Sequence, residues 1–469
     1  MYRTPPKQRS LPPHSATGVR TMVLLAILVA AASAVAQEET QEPELPLFDI
    51  LMPEEDQEDA PETTDPAAQP IEFASRFEAR MGFLDLVEAK DYDAAIPVGV
   101  RMVELTGEEY GVDSNERAIV LADLAEIRRR AGEHEQAEID FLGAIATISG
   151  NEGNLSRMLI QPLIGLGANY QDMDEHMSAL SAFTEARTVN RRSYGLLNED
   201  QIPVLDRMTD SYIALGRYRE ADEKQLDALR LLERTEGYDT PGILPAVYKY
   251  ARWLRAQGRF EEERLFYMRA MNIIKQNFGR DSIQMVPPLR ETGNSFRVQK
   301  FPEGLGASSL KRALEIVENM EEPDPLVRAE TLRDLGDWYA AFSKVGRGGQ
   351  EYRASWEALG ELDNGDELRE AWYAQPKFVL YEIPSQRGLR PEGSEPGLEQ
   401  GFVLVSFDVT PEGRTDNVQV VDADPPGKKD EAILRSMRRS RFRPRIVDGE
   451  VVRADKLARK FTFSFKPSG

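Results

Sequence analysis

Gly216-Arg217-Tyr218-Arg219-Glu220-Ala221, carried on through Ala228-Leu229 to Leu232, is the stretch from which the fold of this chain can be read. Its apolar residues recur at helical spacing, with alanine where a second helix has to come close. The same pattern returns along the chain. An aromatic residue or histidine stands at Tyr92, His134, His176, Tyr218 and Phe260, each 42 residues after the last. Three positions further on stand Ala95, Ala137, Ala179 and Ala221, and the next face repeats Ala144, Ala186, Ala228 and Ala270. Glycine closes each unit at Gly111, Gly153, Gly195, Gly237 and Gly279. Four columns at one period define an internal repeat. Small alanines let antiparallel helices approach, the aromatic is expected to fill the gap at the turn, and glycine supplies the helix stop.

Five units keep this register from Glu72 to Asp281. A sixth is degenerate, with Pro287-Pro288 expected to break its first helix and Pro302 at its turn. A seventh fits Leu326 to Leu359 through Leu335-Gly336-Asp337-Trp338-Tyr339. The pattern resembles the tetratricopeptide repeat in the 42-residue form of kinesin light chains. The standard unit is about 34 residues, so the extra length is expected to go into longer helices. The resemblance implies a solenoid of helical hairpins over 71–362 that binds other proteins along one face.

The period then changes. A linker is expected over 363–396, and from Phe402 the spacing is two: Phe402-Val403-Leu404-Val405-Ser406-Phe407-Asp408-Val409 reads as a strand. Thr410-Pro411-Glu412-Gly413 is a turn and Asn417-Val418-Gln419-Val420-Val421 the returning strand. Lys429 to Arg441 reads as a helix, Asp448-Gly449 as a second turn, and Phe461-Thr462-Phe463-Ser464-Phe465 as a last strand. The order β-β-α-β makes 397–469 a small α+β module, so the chain as a whole is mainly α.

Phe407 to Arg414, then Asp416-Asn417-Val418-Gln419, Met437-Arg438-Arg439, Arg441-Phe442 and Pro444, resemble the C-terminal domain of the TonB family. That resemblance implies strand addition, in which a segment of an outer-membrane receptor extends the domain's sheet at its last strand. The residues it points to are Lys460, Phe461, Thr462, Phe463, Ser464, Phe465 and Lys466. The aromatics among them are expected to pack the domain's own core, because strand addition reads backbone.

The rest of the sequence bears on compartment and on the chemistry that is excluded. Arg3, Lys7, Arg9 and Arg20 precede an apolar run from Met22 to Ala36, and Ala34-Val35-Ala36 has the small-x-small form of a signal-peptidase site. Residues 1–36 are therefore read as a cleavable signal peptide, with a periplasmic mature chain. The alternative is an inner-membrane anchor, although 15 residues rise only about 22 Å as a helix. Residues 37–70 hold 12 Asp+Glu with no Lys or Arg, the composition of a disordered spacer. The formal net charge is −22, whereas 397–469 carries 14 Lys+Arg against 11 Asp+Glu. An acidic body with a basic end argues against nucleic-acid binding.

No cysteine is present, which removes disulfides, thiolate metal sites and cysteine nucleophiles. His134 and His176 sit in the repeat's aromatic column and read as structural. Gly346-Arg347-Gly348-Gly349 lacks the strand and the Lys-Ser/Thr of a phosphate loop. No cofactor, metal or small-molecule substrate is expected, and the chain reads as a non-enzymatic scaffold with protein partners. The arginine run from Arg435 to Arg445 is assigned to an acidic partner, to anionic lipid headgroups or to the chain's own acidic body. Two other roles stay open on the residues, an envelope assembly factor and a membrane-anchored energy transducer.

Overall fold

The computed structural model describes residues 73, 75–302, 304–342, 348–381 and 399–465, all within one compact unit from Thr63 to Gly469. Residues 1–36, read from the sequence as a signal peptide, the acidic stretch 37–70 and Lys466 lie outside the described residues.

Helices α1 (Arg76–Glu88) and α2 (Tyr92–Tyr110) form the first hairpin, followed by α3 (Asn115–Arg130) with α4 (His134–Glu152) and α5 (Ile160–Asp172) with α6 (His176–Tyr194). Next come α7 (Ile202–Ala214) with α8 (Tyr218–Thr235) and α9 (Leu244–Ala256) with α10 (Phe260–Phe278). Helices α11 (Val286–Val298) and α12 (Gly306–Glu318) make the sixth hairpin, and α13 (Pro325–Phe342) with α14 (Gly349–Leu359) the seventh. The sixth is intact, which corrects the expectation of a broken helix. Pro287 and Pro288 lie in the first turn of α11, where the missing N–H groups have no intrahelical partner anyway.

The repeat columns are packing positions. Ala95, Ala137, Ala179 and Ala221 are fully buried, as are Ala144, Ala186 and Ala270, and Ala228 is 4% exposed. Helices also approach closely at Gly167, where a Cβ would sit 2.5 Å from the Phe183 ring. In the aromatic column Tyr92, His134, His176 and Phe260 are half-buried, and Tyr218, 54% exposed, departs from its reading as gap filler. The residues beyond the usual repeat length also divide unevenly. The second helix of a unit takes 19 residues in α2, α4, α6 and α10. Short 3-10 turns such as Arg157–Leu159 and Ile283–Met285 lead into the first helices, capped by the side chains of Ser156 and Ser282. Since Ala228 lies in a helix–helix contact, Ala228→Glu should destabilise the array by several kcal/mol, at about 3 or more. A thermal melt in which that variant matches the wild type would contradict the register.

From the second unit onward, polar contacts tie the first helix of a unit to the first helix of the next. Arg129 of α3 pairs with Asp172 of α5 at 2.5 Å, and Arg207 of α7 donates to Gln171 of α5. Lys249 of α9 reaches Asp206 of α7. Arg255 of α9 reaches Glu291 of α11, and Arg290 of α11 holds Glu330 and Asp334 of α13. Burial opposes the charged form of Asp334, yet Arg290 and Arg333 hold its carboxyl far below the usual carboxylate range. This face is therefore charged but largely occupied by its own ladder, which sets the stacking of one hairpin on the next. His134 belongs to the same kind of contact: its ring Nδ1 lies 3.1 Å from Asn169 Oδ1, and its backbone carbonyl accepts from Asn169 Nδ2.

The described part of the stretch read as a linker, residues 363–381, carries regular structure: α15 (Gly365–Tyr373) and a strand β1 (Lys377–Leu380), while 382–396 lie outside the described residues. Beyond it lie β2 (Glu399–Val409), β3 (Thr415–Asp424), α16 (Asp430–Arg439), β4 (Arg441–Arg443), β5 (Arg445–Val447), β6 (Glu450–Val452) and β7 (Ala454–Phe465). The expected β-β-α-β skeleton is β2-β3-α16-β7, with three short strands inserted before the last. The main sheet has the order β3-β2-β7, β1 pairs with β4, and β5 pairs with β6. Alternate residues of β2, namely Val403, Val405, Phe407 and Val409, face a core closed by Ile433 and Met437 of α16, Phe442 and Phe463. Both turns fall where expected. Gly413 (φ +75°) ends the first, and Asp448 and Gly449 (φ +49° and +80°) form the second.

A candidate partner-binding edge on a fixed platform

The last strand is held at its start by a carboxylate. Asp408 accepts from the backbone N–H of Lys456 at 2.8 Å, from Asn417 Nδ2 at 2.6 Å and from Arg453. These donors, Asn417 foremost, hold the Asp408 carboxyl below its usual range. From there β7 runs antiparallel to β2 with pairs matched residue by residue, from Phe407 with Leu457 to Glu399 with Phe465. Among the described residues β7 pairs with β2 alone, and its other side has no strand partner among them.

The second edge, β3, is less suitable as a template. Its register against β2 shifts twice, between Leu404 and Val405 and again between Ser406 and Asp408. Bulges of this kind twist an edge away from further pairing. The β2–β7 pairing shifts once, between Phe407 and Val409 at the start of β7, and is regular from Leu457 to Phe465, so the longer unbroken edge belongs to β7.

Side chains on β7 alternate as a half-buried strand should. Phe463 is 2% exposed, and Phe461 and Phe465 pack beside it against the core. On the opposite face the Lys460 ammonium lies 4.2 Å from the centre of the Phe402 ring, and Ser464 bonds Gln400. Of the residues singled out on this strand, Lys460 to Phe465 are thus in one edge strand.

The domain does not hang from a tether. Arg443 of β4 makes a two-pronged contact with Asp337 of α13, Nε to Oδ1 at 3.0 Å and Nη2 to Oδ2 at 2.8 Å. Both side chains are nearly buried, at 13% and 6% exposure. Tyr352 of α14 donates to the same Asp337 at 2.9 Å, and the Tyr373 hydroxyl bonds Ser355 at 2.6 Å. Burial, and then the Asp337 charge, push the Tyr352 hydroxyl well above its ordinary pKa. Arg297 of α11 donates to the carbonyl of Val379 in β1. Around this network, Val379 and Ile446 share one apolar core with Ala329, Ala340, Tyr352, Leu359 and Tyr373. The end of the array and the short-strand side of the C-terminal domain are one packed body.

Sequence reading placed Arg443 in a basic run but had no means of pairing it with Asp337, 106 residues away. The described residues hold no group of three or more His, Asp or Glu placed to share a metal ion. An open cleft on the array between Met177, Leu180, Thr184, Glu185, Tyr212 and Arg217 offers apolar surface with one cation and one carboxylate.

Residues 396–466 match the family model described as the Gram-negative bacterial TonB protein C-terminal. A segment of 45 residues is 47% identical to Protein TonB of Escherichia coli (strain K12), a match that covers 10% of this chain and 19% of that protein. The chain therefore matches about a fifth of that relative's length. Among solved structures the chain is similar to the putative kinesin light chain repeats of Podosopora anserina, at 13% identity and a TM-score of 0.38, over 43% of this chain and 96% of that one. It is also similar to a repeat-containing protein of Cytophaga hutchinsonii, at 11% identity and a TM-score of 0.41, over 62% and 95% of the two chains. The architecture is a tetratricopeptide-type array followed by a TonB C-terminal domain.

Proposed function

We propose that this chain is a non-enzymatic, periplasmic scaffold of the TonB type. Its C-terminal domain takes up an extended segment of an outer-membrane receptor as an added strand on β7, and its repeat array holds a second protein. The observation that carries this reading is the regular pairing of β7 from Leu457 to Phe465, an outer strand among the described residues, within the domain that matches the TonB model. Main-chain donors and acceptors along such an edge supply affinity without a side-chain signature. The basic leader with its small-x-small site supports export, and the TonB likeness supports a place in the envelope. A second reading, an assembly factor whose terminal domain is a fixed cap, is favoured by the shared core around Val379 and Ile446.

Proline substitutions separate the two. Along an antiparallel strand, consecutive residues direct their N–H groups to opposite sides. Arg459 and Thr462 differ in this sense, so one of Arg459→Pro and Thr462→Pro removes a donor to β2 and the other removes a donor to the free edge. The first should lower the melting temperature. The second should keep the fold and bind peptides copied from the periplasmic N-terminal segments of TonB-dependent receptors at least about tenfold more weakly, for the loss of one to two hydrogen bonds. Arg459→Ala and Thr462→Ala should bind within about twofold of wild type, since backbone is what is read. Full peptide affinity in the folded proline variant would sink strand addition at β7 and leave the cap reading.

A further inference from the structure

One column of the repeat changes character in a single unit. Glu138 of α4, Leu180 of α6, Asp222 of α8 and Arg264 of α10 stand 42 residues apart. Three of them bond the next hairpin. Glu138 accepts from the Tyr170 hydroxyl at 2.8 Å. Asp222 accepts from Tyr250 at 3.1 Å and from Trp253 at 2.8 Å, and it pairs with Arg259 at 2.7 Å. Arg264 donates to Ser295 and Gln299. Leu180 has no polar group with which to do the same.

The groups that would answer a carboxylate there are present all the same. Tyr212 is the repeat's counterpart of Tyr170, and Arg217 that of Arg259. The Tyr212 hydroxyl has no hydrogen-bond partner among the described residues. The Arg217 guanidinium lies 4.9 Å from the centre of the Tyr212 ring, and its Nη1 donates only to the Met177 sulfur, at 3.8 Å. Its one ion pair is with Glu220 of its own helix. Arg259, by comparison, holds Asp222 across the hairpins as well as Glu262 in its own helix. Space is open beside these groups, because Ser181 and Thr184 stand where α4 has Ile139 and Leu142 and α10 has Leu265 and Met268. The result is a cleft of about 410 Å³ where neighbouring units keep a carboxylate.

We propose, on the reading that the array holds a second protein, that this cleft takes one acidic side chain of that partner, with an adjoining apolar side chain laid on Met177 and Leu180. The guest carboxylate accepts from Tyr212 and pairs with Arg217, as Glu138 does for Tyr170 and Asp222 for Arg259. Exposed Met177 and the Leu180 floor give the apolar neighbour its contact. Glu185 limits the guest to a single charge. It lies two turns beyond Met177 on α6, about 12 Å along the axis, and repels a second carboxylate at that end. An isolated acidic residue beside an apolar one fits the cleft, and an acidic run does not.

The probe is the peptide Ser-Leu-Phe-Glu-Leu-Ser, capped at both ends so that the side chain is its one carboxylate, beside the same peptide with Gln for Glu. Titration calorimetry with the full chain should find the Glu peptide bound at least about tenfold more tightly, as expected of hydrogen bonds to a charged group. Arg217→Gln should abolish that preference. Leu180→Glu supplies the carboxylate from within, as α4 does, and should weaken the Glu peptide by at least about tenfold. Arg192→Gln, exposed near the far end of α6, removes the same charge as Arg217→Gln and should bind as the wild type does. Arg217 is exposed as well, so both arginine variants should melt with the wild type and the outcome does not hang on the folding of Leu180→Glu. Equal binding of the two peptides, or a preference that survives Arg217→Gln, would overturn the site and leave an array that holds its partner on another surface. No binding of either peptide would overturn the site and count against the scaffold reading too.

Discussion

Asp337→Ala is expected to destabilise the C-terminal end of the molecule by about 3–5 kcal/mol, because it strands the buried Arg443 guanidinium without its counter-charge. The Tyr352 hydroxyl loses its acceptor in the same step. In a thermal melt this corresponds to a fall of about 10 °C for the transition that includes β4 and α13. Hydrogen exchange should speed up at β1 and β4 before it does so in the first hairpins. The neighbouring pair between Arg353 and Glu450 is a control, for its side chains are 44% and 70% exposed. Arg353→Ala should cost less than about 1 kcal/mol. Asp337→Leu combined with Arg443→Met should recover most of the loss, since buried ion pairs can be replaced by apolar groups of similar volume. If Asp337→Ala melts with the wild type, the pair contributes nothing to docking and the apolar contacts around Ile446 hold the domain alone.

Arg443 also shows where sequence reading stops. The alanine columns at Ala95 and Ala144 and their repeats betray the array, because a solenoid imposes the same packing on every unit and so the same residue at the same interval. The strand alternation in β2 and β7 is legible for a similar reason, since one face of each is core. A contact made once, between helices and strands far apart in the chain, leaves no period to detect. Asp337 reads as one more polar residue after Gly336, and Arg443 as one of six arginines between Arg435 and Arg445.

Two local readings failed for reasons of position. Pro287-Pro288 signals a helix break only if the helix has already begun, and here the pair starts it. Residues 363–396 lack a long apolar pattern, yet Tyr373 and Val379 are buried by a surface on the array that a local reading does not supply. The edge strand was legible as the last alternating segment. Its fitness relative to β3 was not, because that depends on bulges in pairing and on no residue type.

The same shared core predicts that the domain bounded by its family match will not keep its structure when excised. A fragment of residues 396–466 lacks β1, the partner of β4. It also lacks Phe378, whose ring centre lies 4.2 Å from that of Phe442. Ile446 and Val451 would lose the array surface they pack on. At roughly 1.5–3 kcal/mol for each large apolar side chain removed or exposed, the loss comes to about 5 kcal/mol. A small domain has about 5–15 kcal/mol in all, so the fragment should lie close to unfolding. A fragment of residues 325–466 restores α13, α14, α15 and β1 and should fold. Amide spectra make the comparison: the shorter fragment should show collapsed dispersion for residues 441–452, and the longer one native dispersion throughout. Identical shifts for those residues in both fragments would show that the domain stands alone. The array would then be a neighbour, and a guest strand on β7 would not be held in a fixed relation to whatever the repeats bind.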